Sequence, residues 1–139
     1  MNNIKEILEN TATIAVIGMK NDEYETAYKI PYYMYKMGYK IYPVNPMKEG
    51  KTAFGEKFYS TVNEIKDKID LVNIFRRPEF IPGHVKEILT MDPEPKYVWF
   101  QLGIYNDDAA KELEKNGIKV VQSRCIMVEH ANLGIAPKK

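Results

Sequence analysis

Cysteine is nearly absent: Cys125 is the only one in 139 residues. No disulfide can form within the chain, which suits a reducing compartment. Neither sign of charge is in excess. The formal net charge is +1, so there is no global field for nucleic acid or a membrane surface. No apolar run approaches the roughly 18–20 residues that cross a bilayer, and Met1 to Glu6 lacks the apolar stretch of a secretory signal. The expected location is cytoplasmic. Histidine is scarce too: His84 and His130 lie far apart and form no zinc-ligand spacing with Cys125. The glycine fingerprint for dinucleotides is also missing. It needs G-x-G-x-x-G and an acid about 20 residues on. Here Gly18 is followed by Met19-Lys20-Asn21-Asp22-Glu23, and the next apolar run ends in Asn45-Pro46.

What the chain does have is alternation. Ala12 to Ile17 is a β-branched apolar run that stops at Gly18. Such a run fits a strand buried on both faces, as in a parallel sheet between helix layers. Four further strands are predicted at Lys40 to Val44, Asp70 to Phe75, Lys96 to Phe100 and Ile118 to Val121. Helical patterns separate them: Asn3 to Glu9, Tyr24 to Gly38, about Ser60 to Lys66, Glu79 to Thr90, Asn106 to Lys115, and a short last helix to about Leu133. Pro31 is awkward in the second of these. The regular helix either begins near Ile30, with Pro31 in its first turn, or kinks there. Tyr24, Tyr28, Tyr32, Tyr35 and Tyr39 recur at helical spacing and read as a packed face with phenols at a wet rim. The loop from Met47 to Gly55 ends where Phe58 and Tyr59 pin a short extended piece.

The expected fold is therefore α/β: a single Rossmann-like domain over residues 1–139, in three layers, with a five-stranded parallel sheet in the order 3-2-1-4-5. In such a sheet every strand end points the same way. Residues distant in sequence then gather at one edge: Gly18-Met19-Lys20, Asn45-Pro46 with Lys48, Arg76-Arg77-Pro78, Gln101-Leu102-Gly103, and Arg124-Cys125. Cations beside glycine and helix starts make an anion site, most naturally for phosphates. With no acid after the second strand NAD is disfavoured. Lys48 suits a ligand with one more phosphate, which NADP and coenzyme A both carry.

Five motifs, in order, carry a resemblance. Ile17-Gly18-Met19, Tyr42-Pro43-Val44-Asn45-Pro46, Phe75-Arg76-Arg77-Pro78, Gln101-Leu102-Gly103-Ile104 and Arg124 through His130 resemble the small stand-alone CoA-binding-domain family (YccU-like proteins). The resemblance runs from about Thr11 to Leu133. The same domain is similar to the nucleotide-binding part of the succinyl-CoA synthetase α subunit and of acyl-CoA synthetases. It implies coenzyme A, or an acyl-CoA, lying along the carboxyl edge. Gly18, Met19 and Lys20 would face the pyrophosphate or adenosine, and Val44, Asn45, Pro46 and Lys48 the adenine-ribose phosphate. Phe75, Arg76 and Arg77 would border the diphosphate and pantetheine arm, and Gln101 and Gly103 its exit. Met19-Lys20 departs from the family, where many members have small residues.

No nucleophile, base and orienting group stand together in the sequence, so the reading is a binding or regulatory module rather than an enzyme. A small NADP-dependent oxidoreductase, or a vestigial-pocket scaffold for a partner acyl-CoA synthetase, are the alternatives. The exposed tyrosines offer a face for a homodimer. Cys125 reads as a buried small residue before it reads as a thiol for exchange. Adjacent Glu129 and His130 point to different helix faces and read as structural, and His84 reads as a surface or packed histidine.

Overall fold

The computed structural model describes residues 3–138; Met1, Asn2 and Lys139, at the ends of the predicted domain, lie outside the described residues. In the first half the elements are α1 (Ile4–Glu9), β1 (Thr13–Ile17), α2 (Thr26–Lys36), β2 (Lys40–Val44) and a hairpin of β3 (Thr52–Ala53) and β4 (Glu56–Lys57). The second half holds β5 (Leu71–Ile74), α3 (Ile81–Leu89), β6 (Tyr97–Phe100), α4 (Asp107–Lys115), β7 (Lys119–Val121) and α5 (Ile126–Asn132). Five parallel strands pair in the order β2-β1-β5-β6-β7.

Outside β2, Tyr59 makes a single parallel bridge with Val44. Its amide donates to the Pro43 carbonyl and its carbonyl accepts from Asn45, both at 2.9 Å. Counted as a rudimentary third strand, this contact gives the Rossmann-like order 3-2-1-4-5, with β7 in sixth place. The strand expected third in sequence, now β5, takes the fourth position, on the side of β1 away from β2. The polar stretch between β2 and β5 spends its residues on the hairpin and the crossover, so only Tyr59 is left to extend the sheet.

Strand parity divides the core in two, because successive side chains leave opposite faces. Ala15, Ile17, Val72, Ile74, Val98 and Phe100 pack with Ile81, Val85 and Ile88 of α3 and Leu113 of α4. Ile14, Val16, Leu71, Tyr97 and Trp99 pack with Leu8 of α1, Met34 of α2 and Ile126 of α5. The result is helix, sheet, helix. At the amino edge, Asp70 ties β5 to β1: its Oδ2 accepts the amides of Ala12 at 2.8 Å and Thr13 at 3.2 Å.

Three local readings differ. The helix expected at Ser60 to Lys66 is one 3₁₀ turn, Val62–Glu64. Glu64 does reach back to the Ser60 and Thr61 amides, but Ile65 leaves in extended backbone. Asp67 then takes the Tyr42 hydroxyl at 2.7 Å. The loop near Gly55 holds the β3–β4 hairpin, turned by Phe54 and Gly55, both at positive φ. The Phe54 ring covers Tyr28, Tyr32 and Tyr35 of α2, with centroids 4.8–5.9 Å apart. At Pro31, of the two readings offered, the later start near Ile30 does not hold: α2 starts at Thr26 and runs through the proline.

Candidate functional site

Each strand of the inner sheet hands its last carbonyl to the loop beside it. Gly18 donates to Val44 at 2.8 Å, Phe75 to Ile17 at 2.8 Å, Gln101 to Ile74 at 3.2 Å and Arg124 to Phe100 at 3.4 Å. These bonds align the loops that follow β1, β2, β5, β6 and β7 along one edge. The Asn45 side chain adds a tie, donating to the Met19 carbonyl at 2.9 Å while accepting from the Met47 amide at 2.9 Å.

At Gly18 the loops after β1 and β5 press together. The glycine φ is +83°, and a Cβ there would lie 2.5 Å from the Phe75 carbonyl oxygen and 3.1 Å from Cδ of Arg76. Only glycine lets β1 and β5 end side by side in this way. Proline acts on the same loop from the other side. Pro31 carries no N–H, so the Ala27 carbonyl loses its helical donor. The Lys20 amide takes that carbonyl instead, at 3.2 Å.

Two clefts open along this edge and share Phe75, Arg76 and Arg77. The narrower, about 240 Å³, is lined also by Gly18, Lys20, Asn45, Met47 and Phe80. The wider, about 570 Å³, lies between the start of α2 (Glu25, Thr26, Ala27 and Ile30) and the Gln101–Ile104 loop, with Pro78 and Cys125 completing its wall. Together they make a groove with the paired arginines at its waist. The Arg76 guanidinium lies over the Phe80 ring, 4.4 Å from its centroid, which holds the cation by its flat face. Among the described residues, neither arginine nor Lys20 forms an ion pair. Their charges are free for an incoming anion.

Eight of the twelve residues read from the sequence line this groove: Gly18, Lys20, Asn45, Phe75, Arg76, Arg77, Gln101 and Gly103. Met19 and Val44 sit at the edge but send their side chains into the core, at 0% and 2% exposure. Pro46 and Lys48 stand on the 3₁₀ turn after β2, outside the lining of both clefts. The sequence reading placed Leu102 at this edge but missed the other lining residues: Glu25 to Ala27, Ile30, Met47, Phe80 and Ile104. The helical pattern expected from Tyr24 covers the start of α2, but nothing in its residues marked that turn as a wall of the groove.

Cys125 is buried and its thiol is unpaired. Glu129 pairs outward with Arg124 at 3.4 Å. His130 faces the other way, 1% exposed, with Nδ1 3.0 Å from the Tyr33 hydroxyl. Burial first, then the nearby Lys138 charge, pushes its pKa down. The two residues therefore serve different contacts and do not act as a pair. Among the described residues no group of histidine, cysteine and acidic side chains could hold a metal ion, and no helix is long and apolar enough to cross a membrane.

Known proteins share this sequence pattern and fold. A family model described as a CoA binding domain matches residues 12–131. The uncharacterized protein YneT of Bacillus subtilis is 40% identical over 128 residues, 92% of each chain. A solved structure from Thermus thermophilus is 36% identical with a TM-score of 0.89, covering 95% of this chain and 99% of that one. The fold alone recurs in acetyl-coenzyme A synthetase 1 of Ca. Korarchaeum cryptofilum, at 20% identity and a TM-score of 0.66, covering 86% of this chain and 27% of that one. From Ala12 to Ala131, the chain belongs to the CoA binding domain family.

Proposed function

We propose that this chain binds coenzyme A or an acyl-CoA as a non-catalytic binding or regulatory module. The cofactor lies along the groove at the carboxyl edge. When bound, it supplies a thiol that carries acyl groups as thioesters. The observation that carries the reading is the waist of the groove: two guanidinium groups, Arg76 and Arg77, without an ion pair among the described residues, between a narrow polar cleft and a wider apolar one. A ligand with phosphates at one end and an uncharged arm at the other matches that division.

Lys20, Arg76 and Arg77 hold the diphosphate by charge-assisted hydrogen bonds. Gly18 and Met19 contribute backbone, since the Met19 side chain is in the core. Asn45 keeps the narrow cleft in shape through the Met19 and Met47 contacts. Pro46 and Lys48 lie beyond that cleft, where the extra phosphate of the adenosine ribose reaches, and Val44 serves as the strand end they hang from. Gln101 and Gly103 border the exit of the pantetheine arm.

Titration calorimetry with CoA, acetyl-CoA and dephospho-CoA tests this. The expected order puts dephospho-CoA weakest, because it lacks the phosphate assigned to Lys48. A folded sample that gives no heat with any of the three refutes the reading. Enhancement of nicotinamide fluorescence on mixing with NADPH, in the absence of CoA binding, replaces it with a redox role.

A further inference from the structure

On the reading that the groove takes coenzyme A, we infer that its wider arm is an acyl pocket. It selects a thioester with a short, apolar, uncharged acyl chain, whose carbonyl accepts a hydrogen bond from Gln101.

Gln101 is 5% exposed and walls this cleft. Its Oε1 accepts from Asn73 Nδ2 and from the Ile126 backbone amide, both at 3.3 Å. The Ile126 amide can only donate, so the orientation of the Gln101 carboxamide is fixed by its surroundings. Its Nε2 is buried and has no partner among the described residues. Buried donors are almost always satisfied, because an N–H withdrawn from water without an acceptor is costly. The remaining acceptor is therefore to come from what enters the cleft.

The other walls say what kind of group that is. Ile30, Phe75, Leu102 and Ile104 are apolar, and Leu102 is 66% exposed at the lip. Arg76 and Arg77 line the cleft too; with these taken up by the diphosphate, the unpartnered Gln101 amide beside the apolar groups matches a carbonyl on an otherwise apolar chain. Glu25 stands at the same wall without an ion-pair partner among the described residues. With Arg76 and Arg77 of the same cleft taken up by the diphosphate, its carboxylate repels an acyl chain that ends in a second carboxylate. The space of about 570 Å³ holds the end of the arm together with a chain of a few carbons.

The test is calorimetric titration of the full chain with four ligands: CoA, butyryl-CoA, S-butyl-CoA and succinyl-CoA. S-butyl-CoA keeps the chain and the pantetheine amides but has no thioester carbonyl. Butyryl-CoA is expected to bind about tenfold tighter than CoA, from the area of the added methylenes and the carbonyl contact. It is also expected to bind several-fold tighter than S-butyl-CoA, with succinyl-CoA no tighter than CoA. Gln101→Glu keeps an oxygen for Asn73 and Ile126 and removes the donor; butyryl-CoA then loses its lead over S-butyl-CoA. Should that variant fold poorly, Leu102→Asp at the exposed lip is the second probe, and it is expected to bring butyryl-CoA down to the affinity of CoA. Equal affinity of the wild type for CoA and butyryl-CoA, or tighter binding of succinyl-CoA, overturns the acyl pocket while coenzyme A binding stands. No binding of any of the four overturns both.

Discussion

The Lys20 amide donates to the Ala27 carbonyl across 3.2 Å, from the loop after β1 to the first turn of α2. That carbonyl is available because Pro31, four residues on, has no N–H to offer. A proline that costs the helix a bond thus gives the loop an anchor. Pro31→Ala supplies a competing donor inside the helix. A single hydrogen bond of net value about 0.5–1.5 kcal/mol then weakens, and the Lys20 amide should exchange with solvent deuterium roughly threefold to tenfold faster while the global transition stays cooperative. Unchanged protection of Lys20 in native-state exchange would mean that the loop is held by other contacts.

Two glycines with the same backbone angle separate strain from collision. Gly18 and Gly117 both have φ of +83°, but a Cβ on Gly18 meets the Phe75 carbonyl at 2.5 Å and one on Gly117 meets nothing within 4 Å. Gly117→Ala should cost about 1–2 kcal/mol, the left-handed penalty alone. Gly18→Ala should cost more than about 3 kcal/mol, because β1 and β5 must part to make room. Urea denaturation of the two variants gives the difference directly, and equal losses would contradict the close approach.

Arg76 and Arg77 form no ion pairs among the described residues, so the fold does not depend on their charge. Arg76→Ala with Arg77→Ala should leave the melting temperature close to that of the wild type. It should weaken CoA by about 1.5–3 kcal/mol for each guanidinium that holds a phosphate. Phe80→Ala should cost CoA affinity about 0.5–1 kcal/mol, since the ring 4.4 Å below Arg76 sets its direction. Raising the salt should shrink the arginine effect, because the narrow cleft is open to solvent. A double variant that binds CoA as well as the wild type would remove both residues from the site.

The architecture was legible because β1 states it plainly: Ile14 to Ile17 is apolar on both parities, which requires a layer on each face. Caps were legible too. Asn106 accepts from the Ala109 amide at 3.0 Å, as a helix-starting asparagine should. The direction of Met19 and Val44 was not. In a strand buried on both faces the pattern carries no parity, so nothing in the residues says which edge groups look inward. The turn at Val62–Glu64 shows the other limit. Glu64 caps it by taking the Ser60 and Thr61 amides, yet a helix also needs an apolar face along its length, and Lys66-Asp67-Lys68 supplies none. The unpartnered Nε2 of Gln101 was out of reach altogether, since it depends on two donors, from β5 and α5, meeting one oxygen.

His130 makes a last prediction, on stability against pH. Its ring is wedged edge-on against Tyr33 and Tyr39, with centroids 5.4 and 5.7 Å away. Its Nε2 is buried without a partner among the described residues. Burial, and then Lys138, lowers its pKa, so the folded state holds the neutral form. The unfolded chain, by contrast, takes up a proton below about pH 6.5. At neutral pH both states carry a neutral ring and the stability is complete. As the pH falls below about 6.5 the unfolded state gains the proton first, and stability drops by up to about 1.4 kcal/mol per pH unit until the folded ring titrates. Between about pH 7.5 and about pH 5.5, therefore, the wild type should lose more stability than His130→Phe. That variant keeps an aromatic ring between the tyrosines and cannot titrate. Urea midpoints at the two pH values decide the matter, and parallel losses in both proteins would show that His130 takes up its proton at the same pH in the folded and the unfolded chain.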